Sequence, residues 1–508
     1  MWIRIVLVLV AGLSLAACTA TDSGTMERDG ITYALTTDGL SGLLGSAKAG
    51  DVVHLDPSGT FDGTFTVPSG VSIDGHDAKI VASESAGLIF EDLSGSAFVQ
   101  NIAIESDMGG IVGYEGNSAG TLSLSHVKVT VTRGFGIATE NLDVTIDDVM
   151  VQGPITGSDD PILDELGEQI NGSEHAILGF VTAFGQVNFE ELTVSGFGGF
   201  GVILYETQGS WTGGEVSHCV GVSVLIESSD IEIDSVLIRD GLAGRKIGFA
   251  MLSMGLIAAD ESNLTTRSLS IETMRDISVL QSASNVVHHD VSIRDAGWFG
   301  IVAIPGERAR GTLEMGGESG SLVESARGAG VAALGLDSVS LSSLTVDKTE
   351  LRPSIGEGMD IYEVGDGIAL VGVRETVSMS EVAILNNPRI GLLLDGGPDA
   401  IAPTFQIENV RLANPEVSGL YGLFYQNGIS YDPAFDNIVF DTDASPDNES
   451  ASGEEAAMEV PGGVQSFGHA AIIGTNGLIG TNGIIGTNGI IGTNGIIGTN
   501  GIIGTNGK

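Results

Sequence analysis

One pattern of apolar and polar positions recurs along most of the chain: apolar, any, apolar, two polar, apolar, any, apolar. It reads Val144-Thr-Ile146-Asp-Asp-Val149-Met-Val151, then Val187-Asn-Phe189-Glu-Glu-Leu192-Thr-Val194 and Ile231-Glu-Ile233-Asp-Ser-Val236-Leu-Ile238. Later copies run from Val339 to Val346, Val377 to Ile384 and Phe405 to Leu412. Alternation with a period of two marks half-buried strands, and the polar pair between them marks a bend. Counted on the third apolar position, copies fall at Ile102, Val127, Val149, Leu192, Val236, Leu269, Val291, Leu344, Val382 and Val410, many about 22 residues apart or twice that.

After the second strand comes a glycine-containing turn and a third apolar strand, as in Arg133-Gly-Phe-Gly-Ile137 and Ala296-Gly-Trp-Phe-Gly-Ile301. Three short strands per turn with no helix between them exclude a βαβ sheet. An antiparallel sandwich would instead show hairpin tips of the Asn-Gly or Asp-Gly kind. The period therefore predicts an all-β, right-handed parallel β-helix solenoid over residues 31–440, with equivalent residues stacked about 4.8 Å apart.

The opening of this region adds a second argument. Leu40-Ser-Gly-Leu-Leu-Gly-Ser-Ala-Lys-Ala-Gly-Asp51-Val-Val-His-Leu55 leads into Gly59-Thr-Phe-Asp-Gly63 and Val67-Pro-Ser-Gly-Val71-Ser-Ile-Asp-Gly75. With it, some 400 residues of the chain resemble the pectin-lyase-like family of right-handed β-helix proteins. The resemblance implies a short helix capping the open end of the apolar bore, and Leu40, Leu43, Leu44 and Ala47 have the helical spacing for it.

Outside the solenoid the composition changes. Residues 1–17 have the form of a signal peptide: Arg4, an apolar run too short to span a bilayer, then small residues. The run ends Leu15-Ala16-Ala17-Cys18, which resembles a bacterial lipobox. The resemblance implies lipid on Cys18, a tether over 18–30, and attachment to the cell envelope, the outer membrane being favoured because Thr19 is not Asp. Whether the chain then faces the periplasm or the cell surface stays open. Between coils, an acidic insertion carries Asp159 and Asp160. Residues 441–471 turn to Asp, Glu, Ser, Ala and Gly, the composition of a disordered acidic linker. From 472 to 508 run six hexads of the form Ile-Ile-Gly-Thr-Asn-Gly, the second opening with Leu478. Their spacing resembles the hexapeptide repeat of left-handed β-helices; a flexible tail, a small separate coil and a β-prone assembly segment are all open.

Charge narrows the partners. The net charge of −45, from 66 acids against 21 bases, opposes binding of nucleic acid or anionic lipid. Cys219 is left without a disulfide partner once Cys18 is lipidated, and it reads as a small buried hydrophobe.

The family resemblance implies that an enzyme of this kind would be a polysaccharide lyase or a glycoside hydrolase, yet neither catalytic set is intact. The nearest candidate comes from stacking. The residue after the second strand is Arg239, Glu272, Arg294 and Asp347 in the recognised copies. An outward row of Arg239, Glu272 and Arg294 offers an arginine base with acidic partners; a register-fixing ladder of surface charges is the plainer reading. Asp159 and Asp160 offer calcium ligands, against a plain solvated loop. No other cofactor is expected. His288 falls on an inward position, with His289 and Asp290 at the corner, and Gly75-His76-Asp77 reads as a turn. Few aromatic platforms exist for sugar rings, with three Trp and seven Tyr. These features favour a non-catalytic envelope lipoprotein that binds or displays, with a polysaccharide or cell-surface glycan as its partner. The alternatives are the lyase or hydrolase and an assembly component driven by the hexad tail.

Overall fold

The structure, a computed structural model, describes residues 24–28, 30–114, 120–157, 176–242, 253–306, 309–355, 361–397, 399–413, 421–430, 432–440 and 451–452. Cys18, the acidic insertion with Asp159 and Asp160, nearly all of the 441–471 linker and the hexad tail lie outside them. The chain divides into two compact units, one ending at Ser253 and the other starting at Met254.

The first unit opens with an antiparallel hairpin, Thr25–Arg28 against Ile31–Ala34, followed by a helix, Thr37–Ser46. Thr36 caps the helix by accepting from the Gly39 amide at 3.2 Å. Leu40 and Leu44 are buried, and the helix packs on Ile31–Ala34, Val52–Leu55, Thr60–Asp62 and Phe65–Val67, as expected of an end cap. Parallel strands follow. Ser72–Ala82, Ser96–Ser106, Gly120–Val131, Leu142–Gln152, Gln186–Ser195 and Gln208–Ser217 pair in chain order. A second parallel set runs Phe65–Val67, Ala86–Phe90, Gly109–Tyr114, Gly134–Glu140, Ala176–Ala183, Phe200–Tyr205 and Val222–Glu227. Each strand meets its counterpart one coil on, which defines a parallel β-helix.

The polar pair at the bend explains itself here. Its first residue keeps the ladder, as Ser125 opposite Asp147, while the second leaves it in a left-handed conformation: Asn101 (φ +52°), His126 (+51°), Asp148 (+52°), Glu191 (+54°) and Ser235 (+57°). One such residue turns the chain without breaking the register, and Asn and Asp tolerate the conformation best. Glycine is needed before the third strand instead: Gly134 has φ +71°, and a Cβ there would run into the Met108 carbonyl. Inside, Ile73, Val99, Leu124, Ile146, Phe189, Trp211 and Ile233 stack in register as one dry column.

The second unit repeats the scheme with the bend splitting each long strand in two. Asn263–Arg267 and Ser270–Met274 pair with Asn285–His289 and Ser292–Arg294, which pair in turn with Thr312–Gly316 and Ser321–Glu324. Its other parallel set runs Met254–Ala259, Ile277–Ser282, Phe299–Ile304, Ala329–Leu334, Asp366–Val371, Ile390–Asp395 and Tyr421–Gln426. Phe299–Ile304 is buried at every position, which accounts for its unbroken apolar sequence.

Candidate functional site

A group of three side chains that could share a metal ion lies in the first coils. The outward corner column begins Tyr33, His54, Asp74, Gln100, each opposite the next in the parallel ladder. A regular corner would follow Asp74 with one left-handed residue. The strand Ser72–Ala82 instead shifts register between Asp74 and Ala78, so that Gly75, His76 and Asp77 stand against the single Asn101 of the next coil. This bulge puts His76 (φ +49°) and Asp77 (φ +68°) both in the left-handed region. Bulges re-aim side chains, and here the imidazole of His76 is turned back over His54.

Three donor atoms result. His54 Nδ1 lies 3.0 Å from His76 Nε2, His76 Nε2 lies 3.5 Å from Asp74 Oδ2, and His54 Nδ1 lies 3.9 Å from the same oxygen. The side chains are 21% (His54), 12% (Asp74) and 31% (His76) exposed, so the group is lined by protein but open to solvent. One imidazole nitrogen carries the hydrogen that the other accepts. The two rings stack at 5.3 Å, and the ring of Tyr33 stands 5.8 Å from His54 and 5.4 Å from His76.

Asp74 is oriented by three hydrogen bonds. Gln100 donates to Oδ2 at 2.9 Å; Asn101 and the His76 amide donate to Oδ1 at 3.2 and 3.3 Å. Burial pushes its pKa upward, but these hydrogen bonds and the neighbouring His76 outweigh it, so the carboxyl sits below its ordinary value. Burial lowers His54, with Asp74 acting against that and His76 with it. The arrangement sets two imidazoles beside one carboxylate, a donor set suited to a divalent ion of the zinc type. Among the described residues, this is the group of three whose donor atoms come close enough to share an ion.

The residues singled out in the sequence fall elsewhere. Glu272 and Arg294 stand opposite each other in the second unit. Arg294 reaches Glu272 at 4.0 Å and Glu324 at 3.4 Å, and Lys348 reaches Glu324 at 3.6 Å and Asp347 at 3.7 Å. Glu324 belongs to a coil whose short strand, Ser321–Glu324, follows a glycine-rich turn that hides the repeat. Arg239 lies in the first unit, bound to Glu215 at 3.0 Å and Asp240 at 2.9 Å, and the bond to Glu215 raises its pKa further.

His288 is fully buried between Thr266 and Met315 in the ladder; Thr266 Oγ1 and its Nδ1 are 2.7 Å apart, while Nε2 has no partner among the described residues. It is inward-facing as expected, but only half satisfied. Cys219 is fully buried, and burial pushes its thiol up to about 12, the state of an inert core residue. Gly75–Asp77, read from the sequence as a turn, is instead a bulge within the strand Ser72–Ala82; what single-residue reasoning missed is that His54 and His76 are separated by 22 residues, one coil.

No family model matches the chain, and no curated protein does. Among solved structures, the chain is similar to tailspike protein 3 of bacteriophage CBA120, at 11% identity over 86% of this chain and 61% of that one, with a TM-score of 0.28. It is similar to the A-module of the Azotobacter vinelandii mannuronan C-5 epimerase AlgE4, at 13% identity over 82% of this chain and 91% of that one, with a TM-score of 0.24. It is also similar to a mannuronic acid specific polysaccharide family 6 lyase from human gut microbiota, at 13% identity over 81% of this chain and 90% of that one, with a TM-score of 0.28. The chain thus spans 61% of the tailspike's length. The assignment as an all-β parallel β-helix rests on the strand register described above.

Proposed function

We propose that the chain is an envelope lipoprotein, held to the outer membrane by lipid on Cys18, whose β-helix binds a polysaccharide or cell-surface glycan without cleaving it. The observation that carries the non-catalytic reading is the pairing of the arginines. A catalytic base must give up and regain a proton near the working pH. Arg239 is instead held between two carboxylates that raise its pKa, and Arg294 lies between Glu272 and Glu324. Their geometry suits a ladder that sets coil register.

Support for a polar polymeric ligand comes from the outward rows. Ser210 donates to Asn188 at 3.2 Å in the first unit, and in the second Asn285 donates to Asn263 at 3.1 Å and accepts from Thr312 at 3.2 Å. These rows present pre-ordered amides and hydroxyls at the coil spacing, an arrangement that can meet successive sugar hydroxyls with little ordering cost. A glycan array read both for retention and for released product tests the proposal. Retention with no new reducing or unsaturated ends is the expected result; release of either kind of end overturns it.

A further inference from the structure

We propose that His54, Asp74 and His76 bind one zinc ion, which clasps the first two coils together beneath the N-terminal hairpin and keeps one coordination position open to solvent.

The distances carry the proposal. The donor atoms form a triangle with sides of 3.0, 3.5 and 3.9 Å. The point equidistant from all three lies about 2.0 Å from each, the length of zinc–imidazole and zinc–carboxylate bonds. A tetrahedral ion with such bonds separates its ligand atoms by about 3.3 Å, within the range of the three sides. Calcium and magnesium fit poorly, since they call for six or more oxygen ligands and the site offers two nitrogens. Zinc would replace the hydrogen that the two imidazoles now share.

The surroundings are those of a built site. Gln100 and Asn101, on the next coil, hold the Asp74 carboxylate by both oxygens, so the ligand is oriented before the ion arrives. Tyr33 stands beside both imidazole rings. The bulge at Gly75–Asp77 interrupts an otherwise regular ladder at the one place where it delivers a second histidine to the first. The ligands come from two successive strands, Val52–Leu55 and Ser72–Ala82, so the bound ion ties those coils at the end of the stack, where a solenoid most needs closing. The fourth position faces water, because the protein supplies three donors from partly exposed side chains.

The test uses the full chain, purified without a histidine tag, stripped of metal and titrated with zinc against a chromophoric chelator. One zinc per chain is expected, and cobalt(II) in its place should give the visible bands of a low-coordinate site. His76→Asn should abolish binding while keeping the left-handed turn, since Asn tolerates φ near +50°. His54→Ala should do the same, Gln100→Ala should weaken binding about 10- to 100-fold, and His126→Ala, an exposed histidine of a regular corner, should leave it unchanged. In hydrogen exchange, zinc should slow the amides of Val52–Leu55 and Ser72–Ala82 in the parent chain and not in His76→Asn. Absence of zinc binding by the parent, or unaltered binding by a folded His76→Asn chain, overturns the site. Binding that leaves those amides unprotected overturns the clasp.

Discussion

His76 and His288 each lie 22 residues from the side chain they meet, His54 and Thr266 respectively, yet the two histidines have little in common. His288 occupies an inward row between Thr266 and Met315, and burial lowers its pKa to about 4, with the neighbouring His289 adding to the effect. His76 sits on an outward bulge, nearly a third exposed, facing a second imidazole and a carboxylate. The repeat supplies both partners in the same way, by stacking one coil on the next. What separates the two cases is the side of the wall. Inside, a polar group answers to desolvation and to the few bonds it can make; outside, it remains free to meet an ion or a ligand.

The sharpest way to stress the interior side is the ion pair of Arg389 with Asp366 in the second unit. Arg389 Nε and Nη2 donate to the two oxygens of Asp366, whose side chain has no exposed surface. Arg389→Met leaves that carboxylate buried and uncompensated, so the denaturant midpoint should fall by the equivalent of about 3–5 kcal/mol. A loss below 1 kcal/mol would mean that the interior tolerates charge.

His288 comes next. At pH above the ordinary histidine value of about 6.5 both folded and unfolded chains are neutral there, and no pH dependence arises. Between that value and about 4 the unfolded chain takes up a proton that the folded chain refuses, so stability falls with falling pH. The full loss is about 3 kcal/mol, reached once the pH drops below about 4. His288→Leu should remove one proton's worth of slope from stability measured between pH 7.5 and 4; an unchanged slope would show that His288 is protonated in the folded state.

Exposed groups should give far smaller effects. Arg294→Ala removes a pairing with Glu272 and Glu324 from side chains 30–46% exposed, and thermal melts should register a loss of no more than about 1 kcal/mol. Smallest of all is His76→Asn without metal, expected within about 0.5 kcal/mol of the parent. A large loss there would assign the first corner to packing rather than to binding.

The architecture was legible because each coil repeats the same local instruction. Val149, Val236 and the other third-position residues are buried as the alternation requires, and the helix with Leu40 and Leu44 covers the end as the family resemblance implied. Even the polar bend was visible, although its left-handed second residue was not, since Glu191 or Ser235 carries no strong preference for that conformation. Sites were harder to see. The ladder of Glu272 and Arg294 follows from counting, but its continuation through Glu324 was lost where a glycine-rich turn interrupts the count.

By itself, then, the order of residues determined the strand period and the inward rows, because both depend only on spacing along the chain. The meeting of His76 with His54 and Asp74 was decided by tertiary structure. It depends on a three-residue bulge set against a single residue of the next coil, and a change of register is a property of two strands together.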